Sequence, residues 1–535
     1  MPIKKNVILA VISGLLLTAA FSGGLSSVLG WVALVPLLVA LRPLSPGAAF
    51  KTGMITGMIH YLSLLYWVVY TMRVYGYLPW WLSCFFLVLL AAYLALYPGF
   101  FAFFLVRYCK KPLGLLILAP LCAVALEYVR GFLLSGFPWM LLGYSQLDQL
   151  ALIQMADIAG VYGISFLMVM VNAAVYLLLL TVAENPWHET RMTRGQMTGA
   201  GVLTLCLVLT AFFYGRFRIA DISAAMAGAP AIRVALIQGN IDQTLKWDQA
   251  LQIQTTRKYV DMTRGVKSPR PDLVVWPETA MPFPLEAGGG LTSMLTDMTR
   301  QTGMHLVTGH PSVEAVSPDR VVHYNSASLV MPDGHVVGRY DKVHLVPFGE
   351  YVPLKQVLFF VDKMVAGVGD FLPGQKGHTL KWKPDKPDLG VQICFEIIFP
   401  DLSRALVQNG AGLLVNLTND AWFGTTPAAR QHFTMAAFRA VENRRALVRC
   451  ANTGITGIVD PAGRVIRKTG LFEDAVVVET VPLMHEISFY TRFGDMLPRT
   501  CLGVMMLLMF ISWRNRRKPT SPEKRPKRNG NRIKH

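Results

Sequence analysis

Charge is what this chain lacks. Asp, Glu, Lys and Arg make up only 16% of its 535 residues, while 53% are hydrophobic; a soluble chain carries about 25% charge. The deficit excludes a disordered or wholly soluble protein. Acidic residues are the scarcer sign, 33 against 51 Lys and Arg, for a formal net charge of +18. Short chemical signatures are missing as well. There is no CxxC pair, HExxH, P-loop, GxGxxG or GxSxG, so zinc, nucleotide and serine-hydrolase readings lack support and no metal or cofactor is expected. Of seven cysteines, five sit in or beside apolar runs, where a thiol is a small apolar filler. Cys394 and Cys450 fall in a more polar region, and nothing in the sequence shows that they meet.

Long apolar runs are what the chain has instead. No charge occurs between Lys5 and Arg42, room for two spans with a reversal at Ser22-Gly23-Gly24. Further spans are expected near 52–70, 79–106, 112–134, 160–182 and 197–215, and a last, shorter one near 497–513, against the roughly 20 residues a bilayer requires. If Lys4 and Lys5 are cytoplasmic, alternation also puts Arg42, Lys51, Arg107, Lys110, Lys111, Arg191 and Arg194 inside. Only Arg73 and Arg130 fall in the opposite short loops. That is the positive-inside bias. The tail from Arg514 to His535 adds ten Lys/Arg and one Glu, half of the net charge. It is expected inside, facing anionic lipid heads rather than nucleic acid. Glu127 and Arg130, three apart on a helix, have the spacing either to pair and brace the bundle near the outer interface or to contact substrate. His60 and the Gly53/Gly57 spacing look like packing features. The aromatic loop Ser135–Gln149 is expected at the outer interface.

From about 220 to 490 the texture changes. Ile232–Ile237, Leu273–Trp276, His305–Thr308, Val391–Phe395 and Leu413–Leu417 read as buried strands. Gln249–Met262, Leu291–Thr302 and Ala428–Arg445 read as helices between them. The alternation argues for one α/β domain, which the charge pattern places outside the cytoplasm.

Three segments in it carry chemistry: VVWPE ending at Glu278, RYDKVHLVPFGEYVP containing Lys342 and Glu350, and GVQICFE containing Cys394 and Glu396. A thiol at a strand end is a nucleophile if a carboxylate takes its proton and an ammonium holds the resulting negative charge. Taken singly, each has an ordinary reading: Glu278 as a helix cap, Lys342 as a surface lysine, Cys394 as a core thiol. Together they resemble the Glu-Lys-Cys triad of the nitrilase (carbon–nitrogen hydrolase) superfamily. With NLTNDAWFG at 416–424 and SGFPWMLLGYSQ at 135–146, the chain as a whole resembles the apolipoprotein N-acyltransferase family.

The resemblance implies a multi-pass α-helical membrane bundle of about eight spans with an inserted nitrilase-like αββα sandwich. The expected division is a membrane domain over 1–218, an extracytoplasmic catalytic domain over 219–490, a final transmembrane helix over 491–513 and a cytoplasmic tail over 514–535. It implies a bacterial inner-membrane enzyme, working as a monomer, that moves an acyl chain from a glycerophospholipid to a diacylglyceryl-apolipoprotein through a Cys394 thioester. Glu278 is then the general base, and Lys342 with the Phe395 N–H holds the oxyanion. Glu350 and Glu396 are supporting acids expected to orient Lys342 or act on Glu278. Trp247 and Trp422 are expected to contact substrate, and Leu358–Phe360 with Phe371-Leu372 read equally as a lid at the interface and as ordinary loop packing. The family pattern carries Tyr where this chain has Phe395. A membrane-tethered amidase or nitrilase cleaving a C–N bond is the alternative that the same triad allows.

Overall fold

The structure, a computed structural model, describes residues 3–517 except 43, 245, 267–269, 318–319 and 353–370. The tail beyond 517 and the candidate lid segment Leu358–Phe360 lie outside the described residues. The apolar runs form helices because in lipid each backbone N–H and C=O must find its partner within the segment. They are α1 (Ile3–Ala19), α2 (Val35–Leu41), α3 (Pro46–Leu64), α4 (Trp67–Val74), α5 (Trp80–Tyr108), α6 (Leu115–Arg130), α7 (Leu150–Ile153), α8 (Ala156–Val182) and α9 (Arg194–Gly228). Among the described residues seven helices are long and apolar enough to cross a membrane, or eight if the bent pair α3–α4 counts as one span.

That pair departs from the expected straight span at 52–70: its halves are bent by 51°, which brings α4 against the α/β domain. A Cβ on Gly57 would lie 2.7 Å from the Ala95 Cα, so α3 and α5 approach at backbone distance. Helix α9 starts at a capping box, Thr193 with Gln196, and runs well past the expected 215. Glu127 and Arg130 do not pair. Glu127 Oε1 accepts from the Leu142 N–H at 2.8 Å, while Arg130 reaches the Tyr61 hydroxyl and, at 3.3 Å, the Trp139 carbonyl.

The α/β region holds two sheets. Strands β1 (Ala231–Gln238), β2 (Leu273–Val275), β3 (His305–Ser317), β4 (Arg320–Val330) and β5 (Val336–Asp341) belong to the first. Strands β6 (Asp388–Ile393), β7 (Ala411–Thr418), β8 (Ala446–Ala451), β9 (Gly457–Val459) and β10 (Val465–Lys468) form the second, and β11 (Ala475–Pro482) returns to the first. The orders are β11-β1-β2-β3-β4-β5 and β10-β9-β8-β7-β6, with β1-β2-β3 and β6-β7-β8 parallel.

Alternation along β1 and β2 separates two cores. Ala235, Ile237, Val274 and Trp276 pack with residues of α10 (Gln249–Arg264) and α11 (Gly289–Thr302). Val234, Leu236 and Val275 join β6–β8 instead. Helices α12 (Pro400–Gln408) and α13 (Ala428–Asn443) cover the second sheet, which completes an α-β-β-α sandwich. A short α14 (Phe489–Phe493) leads into the last apolar helix, α15 (Met496–Arg517).

Bundle and sandwich share one apolar core through α13. The middle of the loop after α6 is buried between them, with Trp139, Leu141, Tyr144 and Gln146 at most 1% exposed. Its polar groups find partners across the joint. Trp139 Nε1 donates to Gln431 at 2.7 Å, and Arg439 donates to the Tyr144 hydroxyl at 2.7 Å. Beyond it, Arg444 lies 2.7 Å from Asp157 of α8, which also takes Arg218 of α9 at 2.9 Å. Buried ion pairs of this kind fix geometry more than they add stability.

Candidate active site

Each of the three chemical segments ends a strand, and the strand ends converge. Glu278 leaves β2 through Pro277. Gly309 of β3 passes directly beneath, where a Cβ would stand 2.8 Å from the Glu278 Cα and 2.6 Å from the Thr279 nitrogen; a larger residue would push Glu278 out of place. Lys342 follows β5, with its N–H on the Asn325 carbonyl of β4 at 2.8 Å. Cys394 follows β6 and opens a 3-10 turn over Cys394–Ile398. Its φ is +54°, a left-handed conformation that costs a non-glycine residue about 1–2 kcal/mol.

Lys342 is not the surface lysine that its segment taken singly would allow. Lys342 is 1% exposed, with Nζ 2.8 Å from Glu350 Oε1 and 3.7 Å from Glu278 Oε1. Burial alone would depress it, yet Glu350 and Glu278 hold its ammonium well above the ordinary lysine range. Asn325 ties the acids together, its Nδ2 donating to Glu278 Oε1 at 2.9 Å and to Glu350 Oε1 at 2.8 Å. Glu278 Oε2 is buried and takes no hydrogen bond from the described residues. Burial and then Glu278 push the Cys394 thiol up to about 12, against the pull of Lys342. At neutral pH the resting sulfur is therefore a thiol that needs a base.

The supporting residues divide. Glu350 does hold Lys342, and its other oxygen takes the Val346 N–H at 2.8 Å. Glu396 touches neither Lys342 nor Glu278. Its carboxylate accepts from Tyr340 Oη at 3.0 Å, His344 N at 3.1 Å and Ile393 N at 2.6 Å, stitching the Lys342 loop to the Cys394 turn. Phe395 faces the bundle, its ring 6.4 Å from both Phe137 and Trp139.

Trp247 is exposed near the site. Trp422 packs 4.8 Å from Tyr75, and its carbonyl accepts from Thr71 of α4 at 2.8 Å. Of the candidate lid, Phe371 and Leu372 are pinned by backbone bonds to Glu350 at 3.2 Å and His323 at 2.9 Å. All seven cysteines are free; Cys450 is fully buried, with Sγ on the Ile237 and Val275 carbonyls at 3.3 and 3.2 Å.

Two polar residues in the site escaped the reading of the sequence. Asn325 lies in an ordinary strand run, and no spacing marks it. Lys246, beside Trp247, is 2% exposed and donates to the Glu278 carbonyl at 3.0 Å. Burial pushes it down to about 8, against Glu278 and Cys394. A Lys-Trp pair in a turn was the available signal. The arrangement can deprotonate a thiol, stabilise an oxyanion with a permanent cation, and shelter both among aromatic rings.

Residues 13–174 match the apolipoprotein N-acyltransferase N-terminal domain family, and residues 233–487 match the carbon-nitrogen hydrolase family. An apolipoprotein N-acyltransferase of Geobacter metallireducens is 43% identical over 514 residues, 96% of this chain and 96% of its own. One of Methylococcus capsulatus is 33% identical over 527 residues, 97% of each chain. With its apolar helices and nitrilase-like sandwich, this multi-pass membrane chain belongs to the apolipoprotein N-acyltransferase family.

Proposed function

We propose that this chain transfers an acyl group from a membrane glycerophospholipid to the N-terminal amine of a diacylglyceryl-cysteine lipoprotein, in two steps through Cys394. Glu278 takes the Sγ proton as sulfur attacks the ester carbonyl carbon. The tetrahedral oxyanion is met by Lys342 and the Phe395 N–H. As the carbon–oxygen bond breaks, Glu278 returns the proton to the leaving oxygen, giving lysophospholipid and an acyl-thioester. In the second step the lipoprotein amine attacks, Glu278 takes its proton, and the carbon–sulfur bond breaks to give an amide. The same carboxylic acid then reprotonates Cys394. A thioester is more reactive to an amine than the original ester, so the second step runs downhill.

The observation that carries this reading is the seat of the nucleophile turn on the membrane bundle, with Phe395 stacked on Trp139 at 6.4 Å and Phe423 meeting Trp139 edge-on at 5.9 Å. A site for small amides needs no such wall. An acyl donor does, because moving its chain into water costs about 0.8 kcal/mol per CH₂, and because an apolar wall keeps water from the thioester. In this reading Trp247 and Trp422 are the residues that contact the substrates.

The cations in the short loops put the catalytic half outside the cytoplasm and the tail inside. An epitope after His535 should survive protease added to intact spheroplasts; digestion there would reverse the orientation.

The two-step route is tested by loading the enzyme with phospholipid, removing free lipid, and adding a diacylglyceryl-cysteine peptide. N-acyl peptide should form in an amount equal to the acyl-enzyme. Transfer only when lipid and peptide are present together would contradict it, and ammonia from small amides without any acyl-enzyme would favour the amidase reading.

A further inference from the structure

Behind the nucleophile lies a buried charged group that the two-step route does not use. His432 of α13, Asp420 and Arg449 of β8 are each at most 1% exposed. His432 Nε2 stands 3.2 Å from the carbonyl oxygen of Cys394. A carbonyl only accepts, so Nε2 carries the proton. On the far side of the ring, Nδ1 lies 3.0 Å from Arg449 and 3.1 Å from Asp420 Oδ1, while Arg449 also reaches Asp420 Oδ2 at 2.7 Å. Burial, and then Arg449, hold the imidazole below its usual range. The ring is thus neutral at physiological pH, with the Nδ1 lone pair accepting from Arg449. Trp139 stacks on it at 5.8 Å and Phe423 meets it edge-on at 5.9 Å. Tautomer and ring plane are both fixed.

The carbonyl that His432 holds belongs to the Cys394–Phe395 peptide. That peptide is a rigid trans plane, so its C=O and N–H point in opposite directions. Anchoring the oxygen on α13 aims the Phe395 N–H away from α13. A hydrogen bond on the carbonyl also polarises the amide, strengthening its N–H as a donor. The same bond opposes relaxation of Cys394 from its φ of +54°.

We infer that His432 is a positioning residue, which orients and polarises the Cys394–Phe395 peptide so that the Phe395 N–H and Lys342 meet the same oxyanion. The inference rests on Cys394 as the nucleophile and extends it, since the oxyanion donor is then set by a histidine that touches no substrate. Arg449, itself held by Asp420 Oδ2, donates to Nδ1 and so keeps the ring in the tautomer the task requires.

The test compares three substitutions in the full-length protein: His432→Gln, whose amide N–H₂ can reach the same carbonyl; His432→Asn, the same amide one methylene short; and His432→Phe, a ring without a donor. Two rates are followed by intact mass. One is acylation of Cys394 by a dioleoyl glycerophospholipid in mixed micelles. The other is alkylation by iodoacetamide, which requires the thiolate but no oxyanion hole.

The expected result is that Asn and Phe lower the acylation rate constant about tenfold or more, with the KM for lipid unchanged and alkylation within about twofold, while Gln stays within about threefold of wild type. Wild-type acylation in both the Asn and Phe variants would overturn the inference. So would parallel loss of acylation and alkylation, or failure of Gln to rescue, because either marks a merely structural histidine. If Phe fails to fold, the Gln–Asn difference decides. Absence of acylation in the wild-type protein would instead remove the nucleophile reading itself.

Discussion

Asn325→Asp changes one atom type at the centre of the acid pair and has a signed consequence. In the wild type, Nδ2 donates to Glu278 Oε1 at 2.9 Å and Glu350 Oε1 at 2.8 Å. A carboxylate in that place would face two others at hydrogen-bond distance. Each contact is worth about 6 kcal/mol of repulsion at an effective dielectric constant of about 20, before relaxation. The introduced carboxyl therefore keeps its proton, its pKa raised from about 3.9 by roughly 3–5 units, to about 7–9. As a protonated acid it offers one O–H where the amide offered two N–H donors, so one buried carboxylate loses a partner, at about 1.5–3 kcal/mol.

Acylation of Cys394 should fall about 10- to 100-fold at pH 6 and fall further as pH rises through about 7–9, when that last donor is lost. The stability sign is the same. A folded pKa above the unfolded one gives a contribution that is full below about 4 and lost as pH rises through the folded value. Intact-mass acylation rates and unfolding temperatures between pH 5 and pH 9 provide the assay. A variant with the wild-type rate and pH profile would refute Asn325 as the bridge that sets the distance between Glu278 and Glu350.

Three further outcomes follow from the same geometry. Lys246, held near pKa 8 by burial, carries its charge beside Glu278 only below that pH; wild-type acylation should decline as pH rises through about 8, and Lys246→Gln should show a lower plateau without that limb. Trp139→Ala removes the bundle's wall against Phe395 and His432, and should cost about 3–5 kcal/mol of stability together with acylation; Trp139→Phe, which keeps the ring but not the bond to Gln431, should recover most of both when unfolding and adduct formation are measured. Cys450→Ala, whose thiol is bound to two carbonyls, should leave the acylation rate unchanged, so a loss of adduct there would challenge the identity of the nucleophile.

The strand-end segments were legible because the chemistry is local. Pro277 stops a strand just before Glu278, and Cys394 stands where an apolar run stops. Their mutual approach was not local, since it depends on β2, β5 and β6 of two different sheets ending on one side. Asn325 was invisible because a strand asparagine looks the same whether it bridges two acids or faces water. His432 was hidden for the same reason, on a helix with no motif around it.

At the loop over 135–149 composition alone does not reveal the joint. Aromatics and turns suit a membrane interface, but they equally suit a dry joint, and only the partners on α13 decide. Glu127 and Arg130 have the spacing of a helical pair, yet the Leu142 N–H and the Tyr61 hydroxyl give each a separate partner. Residue spacing reports which groups can meet, not which competing partner wins.

The most direct test of the account is the mass of the intact protein after exposure to a glycerophospholipid alone. The account predicts one acyl increment, mapped to Cys394, released by hydroxylamine and absent from Cys394→Ala. An unmodified protein that releases ammonia from small amides, or an increment that persists in Cys394→Ala, would contradict it.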